Sequence, residues 1–452
     1  MHTEDLKIIS INSGSSSIKF SVFNFSGYSA DSKNGVSQLN NIDRVLSCRI
    51  EEIGTEYGSF YLKDKNKTEN EKRNFSDHET ALKFILQKIA FINDLTKESE
   101  KKKNGHSASD NVLIAHRYVH GGKDYVKPLI AGAEDVKKLA GLNDIAPLHN
   151  PSNLKGLEVM KSLLPDARQI CIFDTAFHSG VPDYAALYPI PIEYYEKFGI
   201  KKYGFHGISY AFIVNLFNIY NKYKYGGKNA IKKTVICHLG NGASVCAVDN
   251  GKSLDTSMGY TPLEGLMMGT RCGNIDPEVP FILKKKLNLT DDGINKILNK
   301  KSGLLGISKK TYDFKELTEF GDEYSKLALK MYAYRIVKFI GQYAAVLNGL
   351  DALVFTGGIG ENSAFLRKEV CKNLAYLGIE IDGRKNSLAA KYFSSHNSFG
   401  RLDVSNSVIF ISSETSSASV FAVHTDEELQ MAFESVNFLY DAKNLSERSS
   451  AK

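Results

Sequence analysis

Three charged residues at the ends of apolar or glycine-rich runs hold most of the chemistry this sequence offers. Arg117 follows VLIA in AHRYVHGG, and Asp174 follows QICIF in DTAFH. Arg271 lies in SMGYTPLEGLMMGTRCGNIDP, a stretch too rich in glycine and proline for a plain helix. A guanidinium fork can grip a carboxylate or a phosphate at two points. An aspartate at the C-terminal end of a strand is where α/β folds commonly seat a metal ligand or a base. Taken singly, each also fits a surface ion pair or a turn cap. His149 in PLHNP and His206 in YGFHG sit among turn residues, which favours a functional reading, whereas His116, His120 and His178 read as satisfied structural groups. Zinc spacing of His and Cys is absent, as are G-x-S-x-G and H-E-x-x-H.

Three small-residue loops stand beside these charges. NSGSSSIKFSVF (12–23) has one glycine, and the residues from Ile18 onward alternate with period two, so it turns a hairpin. A P-loop would need a second glycine, Lys-Ser/Thr and a helix. What remains is a tight turn whose amides, hydroxyls and Lys19 face a phosphate, or a plain serine-rich turn. HLGNGAS (238–244) is a second loop, and FTGGIGEN (355–362) a third, ahead of a helix beginning near Ser363. Glycines permit close backbone approach to a ligand or positive φ. Three such loops, each ending a strand, point to a nucleotide cleft between two domains.

Positioning these groups takes a large framework. With 452 residues the chain exceeds one ordinary core, so two large domains are expected. Hydrophobic residues make up 42% and charged residues 24%, the balance of a soluble globular protein. No apolar run approaches the ~20 residues of a membrane helix, and MHTEDLKIIS reads as neither signal nor transit peptide. Cysteines 48, 171, 237, 246, 272 and 371 lack CxxC spacing, and several lie in apolar runs, which suggests reduced thiols and a cytoplasmic location. A net charge of +6 over this length, with only Lys101–Lys103 as a basic patch, argues against a nucleic-acid partner and leaves small anionic substrates compatible.

Leu6–Ile11 and Ile18–Phe23 read as strands, as do Val112–Ala115 and Gln169–Phe173. Ser76-x-x-Glu79 reads as a capping box for the helix ALKFILQKIAFI. TVICHLGNGASVCAVDNG is strand, loop, strand and Asn-Gly turn; 325–349 is a long helix; DALVFTGGIGENSAFLRKEVCKNL is strand, glycine-rich turn and helix. Strands and helices interleave, so the class is α/β. Polar stretches at 27–41, 63–74, 96–110 and 441–452 read as solvated loops. ISINSGSSSIKFSVFN and VICHLGNGASVCAVDN share one shape about 225 positions apart, which suggests two related domains.

The segments NSGSSSIKF, AHRYVHGG, APLHNPSNL, FDTAFH, YGFHG, HLGNGAS, TSMGYTPLEGLMMGTR, FTGGIGENS and TDEEL, in that order and over nearly the whole chain, resemble the acetate kinase family. The resemblance implies two ribonuclease-H-like domains of the actin/Hsp70/sugar-kinase type with an interdomain cleft. They would span residues 1–176, completed by 427–452, and residues 177–426, the latter binding nucleotide and forming a homodimer. It implies reversible, direct in-line phosphoryl transfer between ATP and acetate, giving ADP and acetyl phosphate, with Mg²⁺ or Mn²⁺. By motif, Asn12, Asp174 and Glu427 correspond to metal-site residues, and Ser15, Ser17 and Lys19 to the phosphate loop. Arg117 resembles the acetate-binding arginine, His206 and Arg271 the transition-state stabilisers, and His149 a supporting group. His238, Leu239, Gly240, Asn241 and Gly242, with Gly358, Ile359, Gly360, Glu361 and Asn362, resemble nucleotide loops. Asp313, Phe314 and Lys315 fall at a further nucleotide contact. Val119, Leu148, Phe205 and Pro262 match a small pocket for the acetate methyl.

Those roles suit the chemistry. A carboxylate nucleophile with a pKa near ~4 is ionised at pH 7 and needs no general base, so Asp174 is better read as a metal or positioning group. The obstacle is bringing two anions together and supporting charge on the phosphoryl oxygens. Asn274, Ile208, Tyr210 and Lys315 depart from the family's usual Asp, Thr, His and Arg. Propionate or butyrate remain alternative acceptors, since one methylene is worth only ~1–3 kcal/mol, and pyrophosphate remains an alternative donor. An ATP-driven switch protein would need neither a carboxylate-gripping arginine nor a methyl pocket. A ribonuclease-H-like nuclease would need clustered carboxylates and a basic groove.

Overall fold

A computed structural model of the chain describes residues 6–27, 39–89, 111–226, 231–395 and 399–450. In chain order the strands of the first half are β1 (Leu6–Ser13), β2 (Ile18–Phe25), β3 (Ile42–Glu51), β4 (Gly58–Asp64), β5 (Thr68–Arg73), β6 (Val112–Tyr118), β7 (Leu129–Ile130) and β8 (Arg168–Phe173). Then come β9 (Lys233–Leu239), β10 (Ala243–Asp249), β11 (Lys252–Thr256), β12 (Ala352–Thr356), β13 (Gly400–Arg401), β14 (Val408–Phe410) and β15 (Ser419–Val423). Two compact units result. One comprises Met1–Ala176, Ser398–Asp403 and Asp426–Lys452, the other Phe177–Asn397 and Val404–Thr425.

The first unit holds a nine-stranded sheet in the order β5-β4-β3-β2-β1-β6-β8-β7, with β13 on β3. β1 pairs antiparallel with β2 and parallel with β6. The second unit's six strands run β11-β10-β9-β12-β15-β14, with β9 antiparallel to β10 and parallel to β12. β3-β2-β1-β6-β8 and β11-β10-β9-β12-β15 are therefore one topology used twice, the ribonuclease-H-like order. The repeat visible in the sequence is its first hairpin, β1–β2 in one unit and β9–β10 in the other. Central strands are buried on both faces, which is why VLIA and ALVFT read as continuous apolar runs.

Several local expectations change. The polar stretch 63–74 is a hairpin, not a loop: Asp64 Oδ1 accepts from Asn66 N at 2.7 Å and Lys67 N at 2.8 Å, which turns β4 into β5. β5, TENEKR, is all polar because it is the sheet's edge, where charges block pairing with another chain. The tail from 441 continues the C-terminal helix Glu427–Ser450. Most of 27–41, all of 96–110, and 451–452 lie outside the described residues. The helix His78–Lys88 is capped by Asp77, whose side chain accepts from Thr80 N at 2.8 Å, rather than by Ser76. Glu79 instead pairs with Lys83 and Lys155. GGIGEN is itself a helical turn, Gly357–Asn362, and a second helix, Ala364–Cys371, starts from the Ser363 cap. All six cysteines are free thiols, five of them buried. Among the described residues no helix is long and apolar enough to cross a membrane.

Candidate active site

In the first unit the ends of three neighbouring strands carry the predicted groups. β6 runs through Tyr118, so Arg117 is a strand residue rather than a loop residue. Its Nε and Nη2 donate to Asp174 Oδ2 at 3.1 and 2.5 Å, and Nη1 donates to Asn12 Oδ1 at 3.2 Å. Asp174 is only 1% exposed. Burial would lower the Arg117 pKa, but the carboxylates of Asp174, Glu427 and Glu428 outweigh it and raise the value. Asp174 thus holds the guanidinium in place.

The phosphate-loop candidate is a four-residue turn between β1 and β2, closed by Gly14 N to Ser17 O at 2.8 Å. It is pinned from two sides: the His78 ring meets Gly14 O at 2.6 Å, and Ile53 N donates to Ser16 O at 2.9 Å. Ser15 is exposed and Ser17 half-buried. Lys19 lies opposite Asn12 in the register and 4.0 Å from Glu428, whose charge raises the lysine pKa. The C-terminal helix that bears Glu427 and Glu428 packs on β1, β6 and β8. Ser10 Oγ donates to Glu428 O, and Arg44 Nη2 lies 2.5 Å from Asp426 Oδ1. Burial lifts Glu434, on the same helix, to about 7; the Gln430 amide opposes this and the Asp174 charge adds to it.

APLHNPSNL works through residues that sequence reasoning passed over. Asn150 Oδ1 accepts from His120 N, and Asn153 bridges Val119 N and Ser13 O, so this helix start ties the loop after Arg117 to the end of β1. Val119 is buried, Leu148 is 41% exposed, and half-buried His149 caps the helix Asn150–Leu163. Paired Asn residues at the start of a helix, close in sequence to a charged motif, were the available signal.

In the second unit His206 and Arg271 flank one glycine. A Cβ on Gly242 would lie 3.3 Å from His206 Nε2, a tight approach, and 3.8 Å from Arg271 Nη1, an ordinary contact, so the glycine leaves room for the imidazole beside the guanidinium. His206 has φ 58°, a left-handed conformation rare outside glycine and concentrated at functional sites. Its ring stacks on His238 with centroids 4.3 Å apart, and its Nδ1 lies 2.8 Å from Ser244 Oγ. Arg271 Nη1 donates to Pro262 O at 3.2 Å, and burial lowers the guanidinium pKa. The loop is held by Ser302 N, Leu304 N and Leu305 N, which bond the carbonyls of Thr270, Met268 and Gly269. Asn274 serves the same loop: its Oδ1 accepts from Gly265 N at 2.6 Å, a task an amide oxygen performs as well as a carboxylate. Phe205 is 2% exposed.

A cavity of about 700 Å³ lies beside these groups' loops, lined by Gly240, Asn241, Asp313, Phe314, Lys315, Gly358, Ile359 and Asn362. Thr318, Ser363, Ala364 and Phe365, missed in the sequence, complete it. Leu239 is fully buried, and Gly357 (φ 77°) passes so close to it that a Cβ would meet Leu239 O at 2.8 Å. Gly360 and Glu361 turn inward and are buried. The Glu361 carboxylate accepts from Gly357 N and Thr425 N at 3.0 Å each and meets His424 Nδ1 at 2.8 Å, so it braces the turn. Asp313 caps the helix Phe314–Phe320 through Glu316 N.

Two ribonuclease-H-like sheets, with strand-end charges on one and a glycine-walled cavity on the other, place the molecule among α/β proteins of the actin/Hsp70/sugar-kinase type. Comparison narrows this further. A model of the acetokinase family matches residues 7–433, and the chain belongs to that family. Acetate kinase of Clostridium botulinum is 38% identical over 433 residues, covering 94% of this chain and 98% of the relative. The crystal structure of a propionate kinase from Francisella tularensis aligns over 95% of this chain and 98% of its own, with 34% identity and TM-score 0.78. That of Porphyromonas gingivalis acetate kinase covers 96% and 100%, with 33% identity and TM-score 0.74.

Proposed function

We propose that this chain is a Mg²⁺-dependent acetate kinase, carrying phosphoryl between ATP and acetate with ADP and acetyl phosphate on the other side. The observation that carries the reading is Arg117, a half-buried guanidinium braced by Asp174 and Asn12 at the end of β6. A preorganised fork of this kind suits one carboxylate ligand. The cavity beside Gly358 has a volume suited to a nucleoside. Its glycine-rich turn favours ATP over pyrophosphate as donor. By the family resemblance we assign Val119, Leu148, Phe205 and Pro262 to the acetate methyl.

Acetate arrives ionised, so no proton need be removed from it. Arg117 orients the nucleophilic oxygen, while Asp174 fixes Arg117. Lys19, with the turn at Ser15 and Ser17, offers positive charge and donors to phosphate. His206 and Arg271 stand to support the charge that spreads over the phosphoryl oxygens in in-line transfer. Among the described residues no three His, Cys, Asp or Glu side chains gather as a ready-made metal site. The donors Asn12, Asp174 and Glu427 are hard oxygens, which fit Mg²⁺, an ion that usually takes one or two carboxylates and completes its shell with water and substrate phosphates. When bound, the ion would neutralise phosphate charge. A homodimer and a cytoplasmic location complete the reading.

The test is hydroxamate formation: protein, Mg²⁺ and hydroxylamine are incubated with acetate, propionate or butyrate and with ATP or pyrophosphate. Acyl hydroxamate from acetate and ATP supports the reading. Product only with pyrophosphate, or only with propionate, would replace the donor or the acceptor.

A further inference from the structure

Tyr210, a departure within YGFHGISY, has no place in the reading above, yet it is wholly buried at the start of the helix Gly207–Tyr225. Its Oη lies 2.5 Å from Ser244 Oγ, and Ser244 Oγ lies 2.8 Å from His206 Nδ1. Ser244 is wholly buried too. Ser244 Oγ is the acceptor within reach of the phenol, so the phenol's own proton is aimed at Ser244. A buried hydroxyl must place its proton on a partner. With one partner donating to it, Ser244 donates to the other, His206 Nδ1. An imidazole that accepts at Nδ1 carries its proton on Nε2. Nε2 is the nitrogen that faces the Gly242 gap beside Arg271. His238 has a matching relay, with its Nδ1 2.8 Å from Ser209 Oγ and that hydroxyl 2.8 Å from Thr425 Oγ1.

We propose that Tyr210 and Ser244 are positioning residues, a buried hydroxyl relay that fixes His206 as the neutral Nε2–H tautomer and so presents a hydrogen-bond donor to the transferring phosphoryl group. The donor role rests on the functional reading above; the tautomer does not. Tyr210→Phe removes one oxygen and keeps the ring. It should lower kcat by about tenfold, the worth of one hydrogen bond at the upper end, with KM for acetate and ATP changed less than about twofold. Ser244→Ala should behave alike. Imidazole nitrogen-15 spectra of the intact protein, with His206 assigned through His206→Gln, should show Nδ1 unprotonated and Nε2 protonated in the parent, and a mixture in both relay variants. Gln places its amide where Nε2 stood and Asn where Nδ1 stood, so His206→Gln should keep more activity than His206→Asn. A proton on Nδ1 in the parent, or unchanged kcat and spectrum in both relay variants, overturns the proposal. Absence of hydroxamate from the parent overturns the functional reading and with it the donor role, while the spectrum still decides the tautomer.

Discussion

Arg117 and Arg271 are both arginines in a shielded setting, but they are held differently, and their loss should differ accordingly. Arg117 is fixed by a carboxylate and an amide oxygen, whereas Arg271 Nη1 meets a backbone carbonyl and the Met268 sulfur. Arg271→Ala should reduce kcat with little change in either KM, at a cost of about 3–4 kcal/mol in transition-state stabilisation; steady-state hydroxamate kinetics check it, and near-normal turnover would remove the residue from its role. Arg117→Ala should raise the acetate KM as well. Phe365 lines the cavity while remaining 48% exposed, an arrangement that suits stacking on a flat base. Phe365→Ala should raise the KM for ATP by several-fold, reflecting about 0.5–1.5 kcal/mol of aromatic stacking, and leave the acetate KM unchanged. An equal rise in both would point to a general loosening instead.

At the scale of elements, the important joints are helix starts. The C-terminal helix begins with Asp426, which accepts from Leu429 N at 2.9 Å and pairs with Arg44 of β3. Both partners are nearly buried, and Arg44 also lies 5.0 Å over the Phe23 ring. That joint sets Glu427, the next residue. Breaking it from one side leaves an uncompensated charge, so Asp426→Asn, which keeps the cap, should cost about 3–5 kcal/mol in stability. The Arg44→Met/Asp426→Asn pair should recover much of that loss. Urea denaturation of the three proteins decides it, and a double variant as unstable as the single one would show that burial of unpaired charge is not the cause. The same logic explains Glu361, whose carboxylate braces Gly357, His424 and Thr425 from within the unit.

Over the whole molecule, acid sensitivity arises from histidines buried without charge. His116 is held by Gln169, and His178 by Ser253 and the Phe205 carbonyl. Burial lowers each from 6.5 to about 4. Between those values the unfolded chain binds a proton that the folded chain refuses. Stability is thus fully present above pH 6.5 and falls as pH drops toward 4, each histidine contributing a slope of up to about 1.4 kcal/mol per pH unit. Thermal midpoints measured from pH 7.5 to 4.5 should decline through this window, and His116→Gln should shallow the decline. A flat profile would exclude the mechanism.

The sequence by itself determined the chemistry and the repeated hairpin. Arginine forks, glycine-rich loops and alternating strands are local signals, because rotamer, φ preference and period-two burial act over a few residues. Which neighbours these residues meet was decided by the tertiary structure. That Asp174 braces Arg117, that Glu361 turns away from the cavity, that Phe365 enters it and that Tyr210 reaches His206 through Ser244 all depend on residues 34 to 63 or more positions apart being brought together by strand order. The polar strand TENEKR was illegible for the same reason: nothing in its composition favours a strand, and only the open edge of β4 supplies its hydrogen bonds.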